Sequence, residues 1–138
     1  MTGFLLDTNL VSETARPAPA PEVREFLEQS RDTWLSVVTI HELTFGIRRH
    51  PSPRRRAELD DFMSSLLAEY GDRIIPVDRE EAEAAAAMRA AAAAVGRTCH
   101  LADALIAGTA KVHSLTLATR NTGDFEALGI ALHNPWQA

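Results

Sequence analysis

The sequence predicts an α/β fold: three layers, with a central, mainly parallel sheet flanked by helices. Short apolar runs alternate with longer helical patterns along the chain. Nothing between them resembles a hairpin turn, which favours crossover connections and parallel pairing. The first run, "FLLD", is almost wholly apolar, as a strand covered on both faces must be.

Each element has a local reason. Phe4–Asp7 reads as a central strand. "RPAPAPE" (16–22) is a rigid surface connection, and Pro21 and Glu22 suit the first turn of a helix ending near Gln29. "TWLSVVT" (33–39) reads as the second strand. It leads into a helix that Thr39 can cap, with apolar surface from Ile40, Leu43, Phe45 and Ile47. Ser52 as cap, Pro53 at the first position and Gly71 as stop frame the next helix. "RIIPVD" (73–78) gives a third strand. Asp78 then caps a helix from Arg79 to about Val95, Glu81 completes an approximate capping box, and Gly96 ends it. "HLADALIAGTAKVHS" is another helix and "LTLATR" a fourth strand. "GDFEALG" is a short helical turn, and "IALHNP" a small strand or extended tail.

At 138 residues and 15.1 kDa, one domain over 1–138 is expected, and 46% hydrophobic content suffices for a core. The net charge of −5 argues against nonspecific phosphate attraction, though not against a nuclease, which must present carboxylates. With Cys99 alone there is no intrachain disulfide and no zinc-finger pattern, which fits a reducing compartment. No basic segment precedes a long apolar run. The Ala-rich stretch 80–96 is interrupted by Arg89 and too weakly hydrophobic to span a membrane, so a cytoplasmic protein is expected.

In an open parallel sheet, ligands gather beyond the carboxyl ends of the strands. Four acids are expected on that rim: Asp7 after the first strand, Glu42 in the first turn of the following helix, Asp103 opening "ADALIAGTA", and Asp124 after the fourth strand. Such carboxylates repel one another unless something positive lies between them, and oxygen clusters suit Mg²⁺ or Mn²⁺ rather than zinc. Each acid also has a plain structural reading. Asp7 and Asp124 can cap turns, and Glu42 and Asp103 are favoured near helix N-termini. All four falling on one rim is what those separate readings leave unexplained.

Among polar neighbours, Asn9 can orient a carboxylate or a water, and Thr119 or Asn121 can fix a metal-bound water. Arg120 can meet a substrate phosphate or be a solvated charge. Arg48, Arg49, Arg54, Arg55 and Arg56 form a basic patch that can guide RNA, meet an acidic partner, or be a solvated turn. His41, His50, His100, His113 and His133 lack zinc-ligand spacing, with His41 and His100 flanking acids. Ser36 has no nucleophile elbow, Cys99 reads as a small semi-buried residue, and no phosphate-binding Gly-rich loop is present.

With "FLLDTNLVSE", "LSVVTIHELTFGI", "LADALIAGTA" and "LTLATRNTGDFEALGIALHNPW" in this order, the chain resembles a PIN-domain ribonuclease of the VapC type, the toxin of a type II toxin–antitoxin pair. The resemblance spans essentially the whole chain and implies a PIN-like fold. It implies that Asp7, Glu42, Asp103 and Asp124 form the acidic quartet. Asp7 and Asp103 are then the central metal ligands, and Glu42 and Asp124 bind directly or through water. Asn121 stands where some members carry a further acid, so the last corner rests on Asp124. The implied activity is Mg²⁺- or Mn²⁺-dependent endoribonuclease cleavage by a metal-activated water, leaving 5′-phosphate and 3′-hydroxyl ends. The implied partners are an RNA substrate, a cognate antitoxin, a second copy in a homodimer, and promoter DNA only through the antitoxin complex.

Two main rivals stand beside it, with a receiver-like phosphoacceptor a weaker third because the acidic pair that normally precedes its phosphorylated strand is missing. One is a metal-dependent phosphohydrolase of another α/β class. Those with an aspartate nucleophile carry DxDxT, whereas here Asn9 stands two residues beyond Asp7. The other is a non-catalytic PIN-like scaffold, which an acid pointing into the core or forming an internal salt bridge would favour.

Overall fold

The computed structural model describes residues 3–137; Met1, Thr2 and Ala138, the outermost residues of the expected 1–138 span, lie outside the described part. Along it run β1 (Phe4–Leu6), α1 (Thr8–Thr14), α2 (Pro21–Gln29), β2 (Thr33–Ser36), α3 (Val37–Arg49) and α4 (Pro53–Tyr70). A 3₁₀ turn (Gly71–Arg73) precedes β3 (Ile74–Ile75), α5 (Arg79–Ala94), α6 (Leu101–Val112) and β4 (Thr116–Ala118). Then come α7 (Thr122–Phe125), a second 3₁₀ turn (Glu126–Leu128) and β5 (Leu132–His133).

The sheet order is β3-β2-β1-β4-β5, and every described pairing is parallel. The "FLL" strand is therefore central. Its neighbouring leucines part to opposite faces, as strand alternation requires. Leu5 packs with Ile106, Leu117 and Phe125, and Leu6 with Leu10, Leu35 and Leu66. These two clusters are the cores of the three-layer fold.

The helix signals that act over three or four residues are realised. Ser52 Oγ accepts from the Arg55 amide at 3.2 Å, and Glu81 reaches back to accept from the Asp78 amide at 3.0 Å. Gly96 takes a left-handed φ of 75°, which lets Arg97 N donate to Ala92 O and Gly96 N to Ala93 O, closing α5. At Gly108, a Cβ would lie 2.8 Å from both Ala85 N and Glu81 O, so its absence lets α5 and α6 touch along their backbones.

Two expected boundaries are corrected. The second strand stops at Ser36, and Val37, Val38 and Thr39 belong to α3. Ser36, not Thr39, is the cap, its Oγ accepting from Val38 N at 3.0 Å. Three β-branched residues in a row favour a strand in isolation, but a buried capping serine at the strand end redirects them. Glu42 consequently lies in the second turn of α3, beyond the orphan amides. The third strand is only Ile74–Ile75, because its partner β2 ends opposite Ile75.

On α4, Met63 and Leu66 are buried and Leu59 and Phe62 pack against the core, leaving Leu67 as the exposed member of that apolar face. No helix among the described residues is long and apolar enough to cross a membrane.

Candidate acidic site at the strand ends

Asp7 leaves β1 with its amide donating to Ala118 O at 2.9 Å, so the end of β4 fixes its backbone. Its side chain is only 6% exposed. Oδ1 accepts from Thr8 N at 2.8 Å and caps α1, and Oδ2 accepts from the Thr119 hydroxyl at 2.7 Å. The simple capping role is thus real but occupies one oxygen. Burial pushes the Asp7 carboxyl above its ordinary range. The Thr119 and Thr8 hydrogen bonds pull it back, and the charges of Asp103 and Glu42 push it up again.

Thr8 links the first two acids. Its amide holds Asp7, and its hydroxyl donates to Glu42 Oε1 at 2.5 Å while lying 3.1 Å from the hydroxyl of buried Thr39. Asp103, half-buried in the first turn of α6, is raised by burial first, then by Asp124 and Glu42, with nearby His100 opposing. Asp124 is exposed in the first turn of α7. It shares with Asp103 the wall of a cavity of about 280 Å³ that also touches Arg97, Cys99 and His100. Charge coupling links Asp7 to Asp103 and Glu42, and Asp103 to Asp124 and Glu42, and among the described residues none of the four enters a salt bridge.

Around them, the Thr119 hydroxyl also accepts from Asn121 N at 3.0 Å, with Asn9 Nδ2 at 3.5 Å. Asn9 Oδ1 lies 3.5 Å from the amide of Arg120. Cys99 is half-buried, its thiol pushed up by burial and by Asp103 and pulled down by Arg89, the opposite of an activated nucleophile. Ser36 is sealed in the core as a cap. His41 is exposed on α3 and stacks on Phe45.

The five arginines of the basic patch divide. Arg55 donates to Ala15 O at 2.9 Å and to Glu58, tying α4 to the end of α1, and Arg56 donates to His50 O at 3.1 Å, tying the α3–α4 turn. Arg49 lies over Phe45, and Arg48 and Arg54 are exposed.

A family model for the PIN domain matches residues 4–130. The chain belongs to the PIN-domain family. Within it, this PIN domain sits with the VapC- and FitB-type toxins of toxin–antitoxin systems. It is 39% identical to the toxin FitB of Neisseria gonorrhoeae, across 96% of this chain and 98% of that protein. It is 34% identical to the VapC ribonuclease Y4jK of Sinorhizobium fredii, across 97% and 98%. Its fold superposes on the crystal structure of FitAcB from Neisseria gonorrhoeae with a TM-score of 0.92 and 38% identity, covering 98% of this chain and 99% of that one.

Among the described residues, no three His, Cys, Asp or Glu side chains stand close enough to hold one ion in common. The donor chemistry of the PIN domain nevertheless fits a hard dication. Asp7 and Asp103 are both pushed toward protonation by burial and by neighbouring carboxylates, an imbalance that a bound cation removes.

Thr8 is the contact that residue patterns missed. Its hydroxyl partners lie 31 and 34 residues away, so no local spacing marks it; its place directly after Asp7 at a helix start is the one available sign.

Proposed function

We propose that this PIN-domain protein is the endoribonuclease toxin of a type II toxin–antitoxin module, using Mg²⁺ or Mn²⁺ at the Asp7–Asp103 rim. The observation that carries the reading is the Asp7 arrangement. A carboxylate is buried at the end of a central strand, held on both oxygens, and set against two further acids. Unlike buried Glu13 and Glu81, which meet Arg16 and His113, Asp7 faces other carboxylates and no basic side chain among the described residues. The ribonuclease name of the Sinorhizobium relative supports RNA as substrate.

Asp7 and Asp103 would hold the ion, with Glu42 and Asp124 direct or through water. When bound, the ion supplies the positive charge and Lewis acidity that phosphodiester hydrolysis requires. The chain's own residues do the rest. Thr119 and the Thr8 amide favour the Asp7 anion and hold it still, and the Thr8 hydroxyl sets the orientation of Glu42. Asn9 and Asn121 brace Thr119 from its other side. The protein partners in this reading are a cognate antitoxin and a second copy of the chain, with promoter DNA reached through the antitoxin.

The test is cleavage of a panel of structured RNAs with Mg²⁺, Mn²⁺ or chelator, comparing wild type with Asp7→Asn. Cleavage that depends on the metal and falls by about 100-fold or more in the variant is expected. Equal activity in the two proteins rules the site out.

A further inference from the structure

Arg120 is set differently from the other arginines with aromatic partners. Its guanidinium lies over the Trp136 ring, 5.2 Å from the centroid, and makes no salt bridge or side-chain hydrogen bond among the described residues. Arg73 also stacks, on Tyr70, but its donors are taken by Thr33 O and Glu69 O. Arg49 rests on Phe45, a ring 53% exposed and so a poor support. Trp136, in contrast, packs against the core cluster of Leu6 and Leu10. Its amide donates to Asn134 Oδ1 at 2.9 Å, and Asn134 Nδ2 donates to Arg120 O at 3.4 Å. The C-terminal segment therefore holds the Arg120 backbone and offers its side chain a fixed shelf.

The place matters as much as the geometry. Arg120 directly follows Thr119, whose hydroxyl holds Asp7. Carboxylates repel an incoming polyanion, and a cation one residue beyond Thr119, with its planar fork of donors unused, offers an RNA phosphate a pre-arranged contact. Stacking fixes the guanidinium without consuming its donors.

We propose that Trp136 and Asn134 are positioning residues that hold Arg120 to grip a backbone phosphate of the bound RNA. This rests on the ribonuclease reading above and adds to it the C-terminal segment as part of the substrate site.

Binding of a labelled single-stranded RNA is measured by anisotropy across a salt series, in chelator and in Mg²⁺, together with KM and kcat. Losing one phosphate contact should lower the slope of log affinity against log salt by about 0.7. Arg120→Ala should show that loss and raise KM about 5-fold with kcat within about 2-fold, the signature of uniform binding. Trp136→Leu should lose part of the slope although Arg120 is intact, while Trp136→Phe retains it, which a merely structural Trp136 would not do. Unchanged slope and KM in Arg120→Ala, with wild-type RNA binding and cleavage intact, overturns this proposal alone. Equal slopes in Trp136→Leu and wild type, both folded, overturn the positioning role. Failure of wild type to bind RNA in either buffer overturns both this proposal and the ribonuclease reading.

Discussion

Burial and the nearby charges of Asp103 and Glu42 favour neutral Asp7, whereas the Thr119 hydroxyl and Thr8 amide favour its anion. Thr119 is thus the residue through which the site's ionisation can be adjusted without touching an acid. Thr119→Val keeps the shape and removes the donor, so the Asp7 carboxyl should rise further and be less ionised at any given pH. The acid limb of kcat/KM against pH should then move to higher pH, and Thr119→Ser should restore it. Asn121 N also loses its acceptor in the valine variant, costing about 1 kcal/mol, or roughly 3 °C in Tm. An acid limb that does not move in Thr119→Val would show that Asp7 does not govern the profile.

Among the elements, α5 and α6 form the tightest pair, and α6 carries Asp103. Gly108 brings their backbones together, and Glu81 Oε2 meets His113 Nε2 at 2.8 Å at the far end of α6. Backbone hydrogen bonding and then His113 hold the Glu81 carboxyl below its ordinary value. An acid lowered on folding adds stability above its unfolded pKa, and that contribution fades as pH falls through its lower, folded value. Glu81→Gln should therefore cost about 1 kcal/mol near neutral pH, a discounted figure because His113 is partly exposed, and match wild type in the most acidic range. Thermal melts from pH 7 to 3 check it; a gap that stays constant with pH would refute the ionic contribution. What was legible at this scale follows from range. Ser52, Glu81 and Gly96 act on amides or carbonyls within a turn or so, so their patterns are readable in the chain itself. Val37–Thr39 misled because intrinsic preference lost to a cap buried by tertiary packing. Asp7 was legible as a charge at a strand end, but the Thr8 bridge and the Arg120–Trp136 stack were not, since each joins segments brought together only by the fold.

At the scale of the whole molecule, an exposed apolar seam lies between α3 and α6. Val37, Val38, His41, Val77, Leu101 and Leu105 line an open groove of about 540 Å³. Val37 is 37% exposed, Leu101 57%, and Phe45, two turns beyond Val37 on the same helix, 53%. The proposed homodimer gives this seam an occupant. In a two-fold dimer one patch meets its own copy, so one substitution acts twice across the interface. Val37→Glu combined with Phe45→Glu places like charges on both sides while leaving the Asp7 and Asp103 segments untouched. Sedimentation should find wild type dimeric and the double variant monomeric at about 10 µM, a loss of several kcal/mol of association. Dilution should lower the wild-type Tm but not that of the variant, because only the dimer's stability depends on concentration. A wild type that stays monomeric up to about 100 µM removes the dimer. A double variant that stays dimeric moves the interface off this seam.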